Sequence, residues 1–144
     1  MSKKMNQNKI INGTFGRVWM NGELYSNTKS FESKVTLNYE EVNMADDLST
    51  YQKYMGYAGE GSLTLHKIDS HVAKTIADGI TSGIMPDINI VGRLADPAAY
   101  GAERVEYTGV TFDELTLLKF ANKEIQEETV PFKYAKFKFI DMID

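Results

Sequence analysis

The chain contains no cysteine in 144 residues. Disulfides, thiolate metal sites, iron–sulfur ligation and a cysteine nucleophile are therefore excluded. Histidine is limited to His66 and His71, too few for a three-histidine metal centre. Proline is scarce, at three, so few positions forbid a ladder hydrogen bond. No window approaches the ~18 consecutive apolar residues of a membrane-spanning helix. The start does not read as a signal peptide, because Asn, Gln and Lys interrupt any apolar run there. Excess positive charge is missing too. The net charge is −4, and Lys3, Lys4 and Lys9 place +3 in the first ten residues. The remainder carries −7 (−4 less +3), a poor balance for gripping phosphate, which draws on Lys/Arg neutralisation and counterion release. A soluble cytoplasmic protein with no cofactor or metal is expected.

Aromatic residues reach 11%, chiefly eight Tyr and seven Phe. That content favours a strand-rich globule over disorder. The length fits a single domain spanning 1–144 that buries a core without covalent staples.

Residues 1–12 are polar and read as a flexible N-terminal arm. Phe15–Met20 reads as a strand running into Asn21-Gly22, a pair suited to a type I′ turn because both positions need φ > 0. Glu23–Lys29 is the expected return strand. The clearest period of two follows. Phe31, Ser33, Val35, Leu37 and Tyr39 share one face, and Glu32, Lys34, Thr36, Asn38 and Glu40 the other. That is a strand with one dry face and one wet, charged face. Residues 43–60 lose the alternation and read as a long loop, yet hold Met44, Leu48, Tyr51, Tyr54, Met55 and Tyr57. Such residues on a long loop mark a binding surface if exposed.

Gly61–Ile68 reads as a strand. Asp69 or Ser70 then offers a helix cap, and Val72, Ile76 and Ile80 form the apolar stripe of a helix over 71–82, closed by Gly83 and Pro86. Ile88–Leu94 is a strand and Ala95–Ala102 a loop. Arg104–Phe112 alternates but changes phase at Gly109, as a bulge would make it. Leu115–Phe120, Glu124–Val130 and Lys133–Ile140 read as further strands, with Pro131 at a boundary or edge. About eight or nine strands and one helix predict an antiparallel sandwich or barrel carrying one helix.

Catalytic signatures do not emerge. His66 and His71 span a strand end and a helix start, with no third ligand placed by spacing. Gly56, Gly59 and Gly61 lack the Lys-Ser/Thr and helix that follow a phosphate loop. The acid pairs Glu40-Glu41, Asp46-Asp47, Asp113-Glu114 and Glu127-Glu128 show no convergence across a pocket. The serines lack a nucleophile elbow.

Four stretches, in order, carry a resemblance: NGTFGRVWMNGE at 12–23, KYMGYAGEGSLTLHK at 53–67, YGAERVEYTGVTFDELTL at 100–117 and EETVPFKYAKF at 127–137. With them the chain resembles, over nearly its whole length, the tail tube proteins of contractile phage tails. These are of the type found in the PBSX prophage and in R-type, diffocin-like tailocins. The resemblance implies a mainly β fold, an antiparallel two-sheet β-sandwich or half-barrel with one flanking α-helix. It implies a structural, non-enzymatic protein that forms hexameric rings, stacked into a tube that sheath contraction drives through a cell envelope. The implied partners are further copies of itself, the tail sheath, tape measure, baseplate and tail-terminator proteins, with DNA at most as non-specific cargo. The implied location is the host cytoplasm during assembly, then the virion tail or released tailocin.

Four strands from each of six subunits would make a ring of about 24 strands, ~115 Å around and ~37 Å across the backbone. Side chains of ~5 Å on each wall leave roughly 27 Å, enough for duplex DNA. On this picture Glu32, Lys34, Thr36, Asn38 and Glu40 are lumen-facing candidates, with Glu124, Gln126 and Glu128 second. Met44, Leu48, Tyr51, Tyr54, Met55 and Tyr57 are anchors of an inter-subunit or inter-ring contact loop. The helix face bearing Lys74, Thr75 and Asp78 looks outward toward the sheath. The alternative is a monomeric β-barrel module that binds a small ligand or carbohydrate, with 43–60 as its lid.

Overall fold

The computed structural model describes residues 4–143. Among them, nine strands and one helix form two antiparallel sheets packed face to face. The first sheet has the order β2-β1-β5-β6-β9, from Glu23–Leu24, Gly16–Met20, Ile90–Leu94, Glu103–Thr108 and Lys136–Asp141. The second has the order β3-β4-β8-β7, from Thr28–Asn43, Thr50–His66, Glu127–Tyr134 and Thr111–Phe112. The expected mainly β sandwich with one helix is the architecture found.

Asn21 and Gly22 have φ of 51° and 83°, the left-handed pair a type I′ turn requires. The strand after them is short. β2 stops at Leu24, and Thr28 already belongs to β3 in the other sheet. Alternation along the strands then fills the core. Val18, Met20, Ile90 and Tyr107 from one sheet meet Leu63, Leu65, Val130, Phe132 and Tyr134 from the other. Glycines make room for rings: Gly92 lies under Phe31, and Gly59 and Gly61 lie under Tyr134 and Phe132. The helix α1, His71–Ser82, ends at Gly83 with φ 81°. It lends Val72, Ile76 and Gly79 to the interior, while Ile80 stands exposed, so the expected stripe is one residue shorter.

Other expectations are corrected. The phase change at Gly109 is a change of sheet rather than a bulge: β6 lies in the first sheet and β7 in the second. The expected Lys133–Ile140 strand is likewise divided at Ala135, where the chain passes back. Residues 115–120 form no strand. Pro131 sits inside β8, opposite Ser62. Its carbonyl accepts from the Asp113 N–H at 3.0 Å. In an antiparallel strand the nitrogen of a residue faces the same side as its carbonyl, and β7 has ended there, so no ladder donor is missed. Of the expected arm, residues 1–3 lie outside the described residues. The rest is tethered: the Asn12 N–H donates to buried Asp96 at 2.9 Å, and Lys9 lies over the Tyr100 ring.

Candidate assembly surfaces

The solvent face of the second sheet is polar and paired in rows. Glu32 lies opposite Ser62, Lys34 opposite Glu60 and then Lys133, and Thr36 opposite Ala58. Lys34 reaches Glu60 at 3.4 Å, Lys29 reaches Glu127 at 2.6 Å and Lys133 reaches Asp113 at 3.8 Å. The Lys29 ammonium holds the Glu127 carboxyl below its usual range. Glu32, Lys34, Thr36, Asn38 and Glu40 are all exposed on alternate positions of one strand. Charges of both signs, with three of the lysines ion-paired, give a wettable face with no net grip on an anion.

The second group of sequence candidates does not stay together. Glu124 is exposed in the 113–126 connection. Gln126 is half-buried and donates to the Ala121 and Glu124 carbonyls. Glu128 is buried, on the same strand face as Val130, Phe132 and Tyr134. Its partner is Lys67 at 3.3 Å, and its other oxygen has no hydrogen bond. A carboxylate there cannot line a channel, so that assignment is withdrawn. Sequence alone gave no signal of this, because the neighbouring acid Glu127 is on the wet face.

Residues 43–60 are not a loop. β3 and β4 form one hairpin whose turn is 44–49. Beyond the Gly59–Tyr134 pair, β8 ends and no third strand joins β4 among the described residues. The two strands continue from Leu37 to Asn43 and back, a projection of roughly 23 Å at ~3.3 Å per residue. A β-bulge at Gly56, φ 138°, lets Met55 loop out and moves the pairing from Asn38–Gly56 to Tyr39–Tyr54. The turn is pinned by Asp47, which accepts from the Tyr51 hydroxyl at 2.6 Å and the Ser49 N–H at 2.8 Å. The base is pinned by Tyr57, whose hydroxyl donates to the Ala135 carbonyl and whose ring meets Phe137 edge-on.

Met44, Leu48, Tyr51, Tyr54, Met55 and Tyr57 are all exposed on this projection, Leu48 completely. Leu37 and Tyr39 join them, with Tyr39 edge-on to Tyr54 at 5.8 Å. An isolated two-stranded ribbon is marginal in water, and exposed aromatics of this density mark an interaction surface. A second apolar surface escaped the sequence reading. Leu117, Leu118, Phe120 and Ile125 stand exposed on the connection between β7 and β8. Their strand-like composition was visible; their lack of any partner strand was not.

On α1, Lys74 and Asp78 are exposed. Thr75 is half-buried, with its hydroxyl donating to the His71 carbonyl and facing Tyr25, so it does not share their outward face. Among the described residues, no group of three or more His, Cys, Asp or Glu could hold a metal ion. An open cleft of about 590 Å3 lies between the two sheets beside β3. Two of its polar groups, Ser33 and Tyr107, are bonded to each other.

A family model described as phage tail tube protein matches residues 3–141. The chain belongs to the phage tail tube protein family. This tail tube protein is 32% identical over 129 residues to the phage-like element PBSX protein XkdM of Bacillus subtilis, covering 88% of each chain. Its fold also matches a chain of an extracellular contractile injection system sheath–tube complex, with a TM-score of 0.72 at 12% identity. That match covers 98% of this chain and 100% of the other. A chain of the anti-feeding prophage tube-terminating cap matches with a TM-score of 0.73 at 10% identity, over 96% and 93%. The role of the tail tube protein is structural.

Proposed function

We propose that this tail tube protein closes into hexameric rings in which the β3-β4-β8-β7 sheet forms the inner wall, and that the rings stack through the β3–β4 hairpin. The hairpin carries this reading. It extends past the sandwich, exposes aromatics and Met along its length, and nothing among the described residues covers them. Glu32, Lys34, Thr36, Asn38 and Glu40 then face the lumen, a wall of balanced charge past which DNA would slide without being held. Ring closure also answers the open edges of that sheet, β3 and the two-residue β7. The apolar 117–125 segment next to β7 is covered by the adjacent subunit.

The assembled tube is a non-enzymatic conduit that sheath contraction drives through an envelope. Its partners are the sheath, tape measure, baseplate and terminator proteins. It assembles in the host cytoplasm and leaves in the particle. Lys74 and Asp78 of α1 face outward.

The test replaces residues 39–55 with an Asn-Gly turn. The shortened protein is expected to be soluble, to keep the far-ultraviolet spectrum of its sandwich, and to form neither rings nor tubes by sedimentation and negative-stain microscopy. Tubes of normal length from that variant would overturn the stacking role of the hairpin. A wild-type protein that stays monomeric at high concentration and takes a ligand into the cleft would overturn ring formation itself.

A further inference from the structure

All three arginines of the chain stand in one row. Arg17 on β1 pairs with Arg93 on β5, and Arg93 pairs with Arg104 on β6. Val18, Met20, Ile90 and Tyr107 of the same strands point into the core, so the arginines occupy the opposite face of the first sheet. Neighbouring strands are ~4.8 Å apart, so the backbone positions of Arg17 and Arg104 lie about 10 Å from each other with Arg93 between them. Each remains charged at any physiological pH. Like charges directly opposite destabilise a strand pair.

The row continues to Asp141, which pairs with Arg104, and among the described residues no carboxylate pairs with Arg17 or Arg93. Arg17 donates to the Thr14 and Gly16 carbonyls, which carry no charge. Arg93 has no hydrogen-bond or ion-pair partner among the described residues. Arg104 lies 3.8 Å from Asp141, and its Nε is buried with no acceptor. The adjacent row on this face is Trp19, Val91, Glu106 and Lys138. Its carboxylate, Glu106, accepts from Asn89 and lies opposite Lys138. The other thirteen cations are all lysine (16 less three). Arginine differs from lysine in its rigid fork, which matches a carboxylate with two parallel hydrogen bonds. Arg17 and Arg93 present two such forks from rigid strands, beside a half-buried Trp19 and next to the Arg104–Asp141 pair.

We propose that the Arg17–Arg93–Arg104 row binds a carboxylate-rich segment of the sheath protein. The inference rests on the ring reading, which turns the β3-β4-β8-β7 face to the lumen and this opposite face outward. DNA is the poorer fit, because cargo inside the tube would meet the other sheet.

The test expresses the protein with the sheath subunit of its own particle, as wild type, R93K and R17E/R93E. Both arginines are exposed, so the variants are expected to fold and form tubes. Sheathed tubes in R17E/R93E should fall at least about tenfold, with R93K intermediate. Wild-type sheath should loosen between roughly 0.1 and 1 M salt, where the Debye length shrinks from ~10 to ~3 Å. Sheathing of R17E/R93E at wild-type frequency would overturn the proposal. A second measurement does not need tubes: anisotropy of a fluorescein-labelled poly-glutamate peptide and of a labelled DNA duplex with the purified protein. Peptide binding that weakens about tenfold in R17E/R93E supports the row even if rings never form. Binding of the duplex alone, or peptide binding indifferent to the variant, overturns it. Absence of wild-type tubes counts against the ring reading only.

Discussion

A side chain on Gly109 would begin 2.8 Å from the Cβ of Ala135. These two residues are the points at which the chain changes sheets, outward from β6 to β7 and back from β8 to β9. The crossings lie against each other, joined by the Ala135 N–H donating to the Thr108 carbonyl at 3.1 Å. The Ala135 carbonyl then receives the hydroxyl of Tyr57 at the base of the projecting hairpin. One corner thus ties the two sheets together and aims the hairpin.

Gly109→Ala tests the corner. Gly109 has φ 66°, where a Cβ costs about 1 kcal/mol, and overpacking against Ala135 adds about 1–3. A loss of about 2–4 kcal/mol in urea unfolding is expected. A change under about 0.5 kcal/mol, the ordinary scatter of surface substitutions, would mean the crossings are not in contact.

The crossings also show where sequence reasoning stops. A one-residue phase change looks the same whether it marks a bulge or a passage to another sheet, because the difference lies in the distant partner strand. Period two along 31–40 was legible since one face is dry and the other wet. It vanished over 50–60 because the hairpin has no core on either side, leaving Tyr51 and Tyr54 on opposite faces, and Met55 breaks the phase. The ends of α1 were legible from Gly83, whose conformation is local. Glu128 was not, since its burial depends on Lys67 arriving from the end of another strand. Leu115–Phe120 has the composition of a strand and lacks only a partner strand among the described residues. The alternation along 31–40 could therefore be read in advance, whereas the arginine row needed the register of β1, β5 and β6.

Gly59 and Tyr134 form a second close pair. A Cβ on Gly59 would lie inside the Tyr134 ring, which is anchored by its hydroxyl donating to the Lys34 carbonyl at 2.8 Å. Gly59→Ala should cost about 2–3 kcal/mol through overpacking. In a Tyr134→Ala background, itself losing about 3–5 kcal/mol, the same change should cost almost nothing. The coupling of about 2 kcal/mol is read from a double-mutant cycle. Additive losses would show that the ring does not fill the space above the glycine.

The buried Glu128 gives a contrast between removing one charge and removing two. Lys67 is about one-third exposed, with a side-chain accessibility of 35% against 6% for Glu128. Lys67→Met strands the buried carboxylate and is expected to cost about 1–3 kcal/mol, discounted for the exposure of the lysine. Adding Glu128→Leu should recover stability to within about 1 kcal/mol of wild type, because a buried pair replaced by apolar groups is often neutral. A double variant weaker than Lys67→Met alone would show that the pair contributes more than its desolvation costs.

At the far end of the hairpin the turn depends on pH. The Tyr51 hydroxyl, then the Ser49 N–H, favour the ionised form of Asp47 and lower its pKa, while Asp47 raises that of Tyr51. A carboxyl with a depressed folded pKa holds its turn firmly above the unfolded value of about 3.9. It gives up that contribution as pH falls through the lower, folded value. The hairpin turn should therefore loosen in acid before the sandwich does. Followed by NMR, the Asp47 carboxyl should titrate at a higher pH in Tyr51→Phe than in wild type, and the amide shift of Ser49 should follow the same midpoint. Identical midpoints in the two proteins would mean that the hydroxyl does not hold the carboxylate in solution. The tip would then be shaped by its backbone alone, with Asp46 at φ 61° as its bend.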